Sequence, residues 1–370
     1  MKILYSCLSK SWGGMEMVTL TGLQQLLKRG IHVELLCTAD SRIHIEANNL
    51  GIILHPVKAG SYIHPFSSLR MAFIIKKINF DIIHTHSSKD LWVIVPSLQL
   101  LRRKIPLVLT KHIGSFVIKK DFLHKRLYKY VTKAIAISSV IKKNLIDTTP
   151  LKEEQIVLIP NGVDTEKFNP EIADGSGIKK EFRIDQNKLL IGMMARFSPG
   201  KGHEEFLHSA VELNKKHNNL YFLIIGEASR GEHQYESEIK SLAEKLNINN
   251  IIFTGYRNDI PELLAALDIF VFPSRAEAFG IALIEAMAME KPTVCSASDG
   301  ILDIAVDGYT SFMFEKENIA DLEEGINKLI NNPDLRKAFS KAARKRVLEN
   351  FNINLVTDRV CSLYEQLIKN

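Results

Sequence analysis

Two cations follow one of the short apolar runs of this 370-residue chain. Arg196 and Lys201 come just after the run 190–194, in a loop that Pro199 and Gly200 make tight. Cations fixed at such a position suit a diphosphate, whose negative charge grows as a bond to it breaks. An ordinary solvated basic loop is the alternative.

Two glutamates bracket a later apolar segment. Glu277 lies just ahead of this segment and Glu285 lies within it. If a helix begins near Phe279 or Gly280, its free N–H groups, including that of Ile281, would face an anion at the positive end of the helix dipole. A carboxylate accepts hydrogen bonds from adjacent hydroxyls, so Glu277 suits a hexose and Glu285 a ribose. Glu277 as a helix cap and Glu285 as a surface residue are the alternatives, although an unpaired acid in so apolar a segment is unfavourable.

The first half of the chain offers a glycine pair and a histidine. Gly13-Gly14 follows the first predicted strand, and residues 15–28 then have a helical pattern. Backbone N–H groups at that junction could approach a phosphate, although a simple strand-to-helix turn would also use glycine. His112 ends another predicted strand, where it either faces a ligand cleft or is an ordinary buried histidine.

Several familiar signatures fail. A phosphate-binding Walker loop ending at Lys201 would need glycine where Ala195 stands, and no G-x-G-x-x-G follows the first strand. His203 and His208 are five residues apart and therefore lie on different faces of a helix, unlike zinc-protease ligands.

Three histidines raise the question of a metal. His84 and His86 share one face of a predicted strand, and His112 ends the next, so a three-histidine site is one interpretation. Supporting carboxylates are missing nearby in the sequence, and we expect no metal.

The composition is that of an average globular protein. Hydrophobic residues make up 46% and charged residues 24%, and 48 Lys and Arg against 42 Asp and Glu give a net charge of +6. The length favours two domains of roughly 150 residues. The four cysteines form no CxxC pair, so neither a disulfide framework nor a thiolate zinc site is expected. No secretory leader and no apolar run of about 20 residues is found, so we expect a cytoplasmic protein.

The positive charge is concentrated in residues 102–146. This segment has twelve basic residues and one acid, Asp121, for a net charge of +11. A set of apolar residues within it follows a helical spacing, namely Leu123, Leu127, Tyr130, Val131 and Ala134. The face over 119–133 either is simply solvated or docks on an anionic membrane or acceptor.

Short β-branched runs alternate with helical patterns, which is typical of βαβ units and parallel sheets. The polar stretch 161–188 contains Pro170 and Gly175-Ser176-Gly177 and interrupts this alternation, so we predict a linker there. Two doubly wound sheets follow, with ligands at the carboxyl ends of their strands. The predicted strands are 3–6, 33–37, 52–56, 81–85, 107–110, 134–137, 156–159, 190–194, 221–225, 251–254, 269–272 and 293–296.

Taken together, these motifs resemble the retaining glycosyltransferases of family four (glycosyl transferases group 1). The resemblance spans essentially the whole chain and rests on Gly13-Gly14-Met15-Glu16, Ile159-Pro160-Asn161-Gly162-Val163-Asp164, Arg196 with Lys201, and Glu277-x7-Glu285. It implies an α/β protein of GT-B fold, with two Rossmann-like, doubly wound parallel-sheet domains facing across a cleft. The expected parts are an acceptor-binding domain (1–165), a linker (166–188), a nucleotide-sugar-binding domain (189–352) and a helix crossing back to the first domain (353–370).

The resemblance also implies residue roles. The implied donor-binding residues are Gly13, Gly14, Arg196, Lys201, Arg257, Glu277, Phe279, Gly280, Ile281 and Glu285. The implied catalytic residues are His112, Glu277, Arg196 and Lys201. In these roles the cations hold the diphosphate, the loop Gly255-Tyr256-Arg257 lies against the base, and His112 lies beside the sugar or the acceptor hydroxyl. One departure occurs near Asp303, where Leu302 replaces the proline of many members and puts the local loop shape in question.

We therefore expect a retaining hexosyltransferase with a nucleotide diphosphate sugar donor, UDP-linked in our interpretation, and no metal or other cofactor. The expected acceptor is a hydroxyl of a glycan or glycolipid precursor in lipopolysaccharide or surface polysaccharide synthesis, and no nucleic-acid partner is expected. The enzyme would be cytoplasmic, peripheral on the inner face of the membrane if the basic segment docks there. The alternatives are a nucleotide-sugar epimerase of similar fold and a catalytically silent nucleotide-sugar-binding module.

Overall fold

The computed structural model describes residues 1–58, 64–229 and 231–369. The chain divides into two compact units, Met1–Asn161 with Ile353–Asn370, and Gly162–Asn352. The division falls four residues before the predicted end of the first domain. The stretch 166–188, predicted as a linker, lies inside the second unit, because Ile178 and Ile184 bury their side chains there.

In the described residues, the first unit contains a seven-stranded sheet with helices between its strands. The strands are β1 (Lys2–Cys7), β2 (His32–Thr38), β3 (Ile53–Val57), β4 (Ile82–Thr85), β5 (Leu107–Lys111), β6 (Val131–Ala136) and β7 (Ile156–Leu158). The helices that connect them are α1 (Gly14–Lys28), α2 (Arg42–Asn49), α3 (Pro65–Ile78), α4 (Leu91–Leu101), α5 (Phe122–Tyr128) and α6 (Ser139–Thr148). Every residue of β4 and β5 is buried, polar ones included, as expected of parallel strands covered on both faces.

The described part of the second unit contains a six-stranded sheet of the same kind. Its strands are β8 (Leu189–Met194), β9 (Leu220–Ile225), β10 (Ile251–Phe253), β11 (Ile269–Phe272), β12 (Thr293–Ser296) and β13 (Ser311–Phe314). Its helices are α7 (Ser176–Glu181), α8 (His203–Lys216), α9 (His233–Lys245), α10 (Ile260–Ala266), α11 (Ile281–Ala288), α12 (Ile301–Ile304), α13 (Ile319–Asn331) and α14 (Pro333–Asn350).

A final helix, α15 (Ile353–Lys369), belongs to the first unit. Its apolar stripe packs into the core of that unit through Val356, Leu363 and Tyr364. Arg29, directly after α1, forms an ion pair with Asp358 of α15 at 2.9 Å. The last helix thereby closes one face of the first sheet.

Both sheets reverse their strand order once. The orders are β3-β2-β1-β4-β5-β6-β7 and β10-β9-β8-β11-β12-β13, with all pairs parallel. The reversals fall between β1 and β4 and between β8 and β11. Ligands of doubly wound sheets bind at the carboxyl ends of the strands at such a point.

Besides the linker, the structure differs from the sequence predictions at two further points. Strand β13 was not predicted, and the helical spacing assigned over 119–133 is wrong, because α5 ends at Tyr128 and Val131 and Ala134 belong to β6. In the described residues, no helix has both the length and the apolar character that a membrane span requires.

Candidate active site

The loops after β8 and β11 meet at the strand-order reversal of the second sheet. Lys201 Nζ donates to Glu277 Oε2 at 2.6 Å, although the two residues are 76 positions apart. Both side chains are partly buried, with 26% and 18% of their surface exposed. The Arg275 N–H also donates to the carbonyl oxygen of Gly200 at 2.9 Å, which ties the two loops together. The structure thus joins two predicted site residues from separate loops.

Two glycines allow these loops to approach so closely. Gly202 has a φ of +83°, and a Cβ there would collide with the carbonyl oxygen of Pro273. Gly300 donates its N–H to the Glu277 carbonyl at 2.9 Å, and a Cβ on it would lie 2.5 Å from the Ala278 carbonyl oxygen. The backbone on both sides of Glu277 is therefore fixed by contacts that only glycine permits.

The segment around Leu302, where the proline of the family is missing, is well fixed. Ser298 Oγ donates to the carbonyl oxygen of Ser274 at 3.0 Å, and Ser296 Oγ does so at 2.5 Å. Leu302 itself is exposed on the short helix α12. The hydroxyl groups of Ser296 and Ser298 therefore fix the shape of this loop in the absence of the proline ring.

Arg196 lies in the same loop as Lys201 but has other partners. Its Nη1 donates to Ser229 Oγ at 3.3 Å, and its Nε lies 3.2 Å from the Glu232 carboxylate. The side chain is 44% exposed, so these contacts contribute little to stability.

Helix α11 begins at Ile281, with Gly280 as its N-cap at a φ of +117°. The first N–H groups of a helix precede its own hydrogen bonds and carry partial positive charge. The observed helix start therefore lies within two residues of the predicted one, near Phe279 or Gly280. Phe279 itself is buried and packs edge-on against Phe351, with ring centroids 5.8 Å apart.

Glu285 lies within α11, as expected. Burial raises the pKa of its carboxyl group from 4.5 to about 7, and the nearby Lys167 opposes this only in part. The side chain therefore keeps its proton to a higher pH than a solvated glutamate does.

Arg257 has two carboxylate partners of its own. Its guanidinium binds Glu181 in a bidentate pair at 2.6 and 2.9 Å and also binds Asp259. These partners raise the pKa of Arg257 further above its ordinary value. The charge of Arg257 is therefore compensated by two carboxylates.

In the first unit, Gly13 is the N-cap of α1 and Gly14 its first residue, directly after the strand β1 and its loop. Asp90, which the sequence did not single out, fixes the start of that loop. Its carboxylate accepts from Ser6 Oγ at 2.8 Å and from the Leu8 N–H at 3.1 Å. Burial raises the pKa of Asp90 to about 7. In the sequence, the one sign that could have drawn attention to Asp90 is its position directly before the apolar helix α4.

The three histidines form a row across β4 and β5, which we call the histidine row (His84, His86 and His112). The His84 and His86 rings stack with centroids 4.4 Å apart, and those of His86 and His112 with centroids 5.3 Å apart. His86 Nδ1 lies 3.0 Å from His112 Nε2. Among the described residues, no group of three or more His, Cys, Asp or Glu side chains is arranged to hold a metal ion.

Two family models match this chain. Residues 176–346 match "Glycosyl transferases group 1", and residues 12–167 match "Glycosyltransferase Family 4". A solved glycosyltransferase from Rickettsia africae superposes with a TM-score of 0.91 at 26% identity, over 100% of this chain and 99% of that one. The chain belongs to the GT-B glycosyltransferases of group 1.

Two named relatives of this glycosyltransferase are similar to it over most of their length. An Escherichia coli protein, named UDP-Gal:alpha-D-GlcNAc-diphosphoundecaprenol alpha-1,3-galactosyltransferase, is 29% identical over 80% of this chain and 78% of its own. A Campylobacter jejuni protein, named N,N'-diacetylbacillosaminyl-diphospho-undecaprenol alpha-1,3-N-acetylgalactosaminyltransferase, is 28% identical over 87% of both chains. The Anabaena protein HepE, solved with UDP and glucose, has a TM-score of 0.83 at 22% identity over 99% of both chains and shows the fold alone.

The predicted fold is therefore confirmed, and the site of this glycosyltransferase has a clear chemical capacity. Lys201, Arg196 and the start of α11 offer positive charge in the loops after β8 and β11, and Glu277 offers a carboxylate beside Lys201. Such a set can hold a dianionic group and a hydroxyl side by side. The roles assigned to individual residues stay predictions.

Proposed function

We propose that this glycosyltransferase is a retaining hexosyltransferase that uses a UDP-sugar and needs no metal. The Lys201–Glu277 pair carries the proposal, because a cation suited to a diphosphate lies 2.6 Å from a carboxylate suited to a sugar. The E. coli relative, whose name specifies UDP-Gal, supports the choice of donor.

We propose the following division of roles. Lys201 and Arg196 bind the diphosphate together with the first amides of α11, and Glu285 binds the ribose hydroxyls. Glu277 binds the hexose hydroxyls. As the family resemblance implies, Gly14 contacts a donor phosphate and His112 lies beside the transferred sugar.

In the proposed reaction the bond between the anomeric carbon and the donor phosphate breaks first, with positive charge on the sugar ring. The leaving phosphate oxygen takes the proton of the acceptor hydroxyl, which attacks from the same face, so the configuration is retained. Fixed cations and the helix dipole stabilise the charge on the diphosphate, which is the task that Mg²⁺ performs in other enzymes.

The proposed acceptor is a lipid-linked glycan precursor of lipopolysaccharide or another surface polysaccharide. Both relatives described above are named for diphospho-undecaprenol substrates, and a further relative from Rhizobium meliloti, 26% identical over 57% of this chain, is named a lipopolysaccharide core mannosyltransferase. A lipid-linked acceptor would bring the enzyme to the inner face of the membrane.

UDP is expected to stabilise the purified protein, since a ligand that binds only the folded state adds RT ln(1 + [L]/Kd), or about 2.7 kcal/mol at 100 times Kd. The measurement is a melting curve with UDP, GDP, ADP and their sugars, followed by transfer assays with the best donor. Product analysis with donor alone would reveal an epimerase, and tight UDP binding without turnover would identify a silent binding module. Protein that neither hydrolyses nor transfers from any nucleotide sugar, and in which Glu277→Ala leaves donor binding unchanged, contradicts the proposal.

We further propose that residues 113–123, after β5, dock on anionic lipid. The segment exposes large apolar side chains, with Phe116 fully exposed and Phe122 77% exposed. Its backbone is held by Ser115, whose N–H donates to Asn144 Oδ1 at 2.8 Å. Exposed cations lie in the same stretch of sequence, namely Lys120, Lys125, Arg126 and Lys129. Exposed apolar side chains together with basic residues are typical of surfaces that enter the lipid headgroup region.

The double variant Phe116→Ser/Phe122→Ser is expected to lose most of its co-sedimentation with vesicles containing anionic lipid. Charge reversal at Lys120, Lys125 and Arg126 is expected to weaken binding by tenfold or more, because each cation near such a surface contributes about 1 kcal/mol. Ile172→Ser, an exposed apolar residue of the second unit, is the matched control. Binding that withstands high salt and both sets of changes contradicts this surface.

A further inference from the structure

His86 is buried in the first unit and contacts both core residues and His112. It comes directly after β4, and its N–H donates to the carbonyl oxygen of Ser6 at 2.9 Å. Its ring lies between those of His84 and His112, and the Tyr5 ring covers it with centroids 4.7 Å apart. Only 5% of His86 is exposed. The ring is therefore held in place from several sides.

The other two members of the histidine row have different partners. His84 Nε2 lies 2.6 Å from Thr110 Oγ1, and His84 Nδ1 is hydrogen-bonded to the Tyr364 hydroxyl. His112 is bonded to His86 alone within the row, through its Nε2. The orientation of the His112 ring thus depends on His86, while His84 is anchored separately.

The bond between the two rings restricts their tautomers. Desolvation keeps both imidazoles neutral, because it lowers the pKa of His112 to about 3 and that of His86 well below its ordinary value. One proton must then lie between His86 Nδ1 and His112 Nε2. If His86 Nδ1 carries it, His112 is protonated at Nδ1, and if His112 Nε2 carries it, His112 Nδ1 is an acceptor.

The surroundings of the second ring nitrogen of His86, Nε2, favour one of these two tautomers. His86 Nε2 is buried and has no hydrogen-bond partner among the described residues. An unpartnered buried nitrogen loses less as a bare lone pair than as an unsatisfied N–H donor. This favours His86 protonated at Nδ1 and donating to His112 Nε2, which leaves His112 protonated at Nδ1.

We infer that His86 is a positioning residue that fixes the ring orientation of His112 and makes its Nδ1 a hydrogen-bond donor. The inference rests on the proposed function in assigning His112 a place beside the transferred sugar. A donor at Nδ1 would bind a sugar or acceptor hydroxyl oxygen, and it could not act as a general base. This agrees with a reaction in which the leaving phosphate takes the acceptor proton.

The test compares three variants of the full chain. His86→Leu removes the hydrogen bond, His86→Asn keeps a donor near the position of Nδ1, and His84→Leu is the matched control from the same row. Tautomers are measured by long-range ¹H–¹⁵N correlation of histidine-labelled protein, because protonated and unprotonated ring nitrogens differ widely in ¹⁵N shift. Transfer kinetics and UDP affinity are measured in parallel.

In wild-type protein and in His86→Asn, we expect His112 to be protonated at Nδ1 as a single tautomer. In His86→Leu, we expect a mixture of tautomers and a kcat lowered about 10- to 100-fold, with UDP affinity within twofold of wild type. His86→Asn should keep kcat within about fivefold of wild type. His84→Leu should leave the His112 tautomer unchanged.

Four results would overturn the inference. They are His112 protonated at Nε2 in wild-type protein, an unchanged tautomer in folded His86→Leu, a His84→Leu variant that shifts the tautomer equally, and equal loss of kcat in folded His86→Asn and His86→Leu. If His86→Leu does not fold, the wild-type and His86→Asn spectra still test the inference, because His112 protonated at Nε2 in either protein contradicts it. Because the spectra do not depend on turnover, a protein without transferase activity but with the expected tautomers contradicts the proposed function and not the positioning role.

Discussion

Lys201→Ala is expected to lower kcat/KM for sugar transfer by about 10³-fold, the loss typical of removing one group that stabilises developing charge in a water-poor site. The reason lies in the partly buried ion pair with Glu277. Without Lys201, the diphosphate loses a fixed cation and Glu277 loses its partner. Steady-state kinetics with the best nucleotide sugar and calorimetry with UDP measure the two effects.

A matched control exists on the helix that follows Lys201. Lys216, at the far end of α8, forms an ion pair with Glu323 at 3.1 Å and is half-exposed. Lys216→Ala removes the same charge from the same unit and is expected to leave kcat/KM within twofold of wild type, since exposed pairs contribute little. Equal losses in the two variants, or a Lys201→Ala enzyme that retains a tenth of the wild-type kcat/KM, would contradict the assigned role.

Much of the fold could be predicted, because parallel strands buried on both faces are continuous apolar runs. β13 was not predicted, because it is an edge strand of only four residues and begins with the polar Ser311. The segment from Leu123 to Ala134 was misassigned because a window of helical spacing spanned two elements, the short α5 and the β-branched start of β6. Apolar periodicity is reliable only within one element.

The site was predictable in part. Strand-end positions identified Lys201 and Glu277, but their 2.6 Å contact depends on which strands are neighbours, and the alternation of elements does not give that order. The close approach at Gly300 likewise depends on the tertiary fold. Asp90 escaped notice because a single acid beside an apolar helix looks like an ordinary cap, and only the structure shows Ser6 donating to it.

Glu285→Gln is expected to stabilise the ligand-free protein at pH 8 and to weaken its binding of UDP. The folded-state pKa of Glu285, about 7, lies above its ordinary value of 4.5, so the folded protein holds an extra proton between these two values. The contribution of protonated Glu285 to the free energy of unfolding is therefore fully present below pH 4.5 and is lost as the pH rises through 7. At pH 8 the ionised side chain destabilises the ligand-free fold by about 3 kcal/mol at most, and glutamine removes that cost.

Binding should change in the opposite direction, because the ionised carboxylate is the better acceptor for two ribose hydroxyls. Hydrogen bonds to a charged group contribute about 1.5–3 kcal/mol, so the variant is expected to bind UDP about 10- to 100-fold more weakly at pH 8 and to show a smaller difference at pH 5.5. Denaturant unfolding and calorimetry at both pH values measure the two effects, and Glu349→Gln, which alters an exposed pair with Lys345, is the control. If Glu285→Gln binds UDP more weakly but is no more stable, Glu285 contacts the ribose and its burial is not unfavourable. If the variant is more stable but its UDP affinity is unchanged, the carboxylate is only buried in α11, and Glu285 is not part of the donor site.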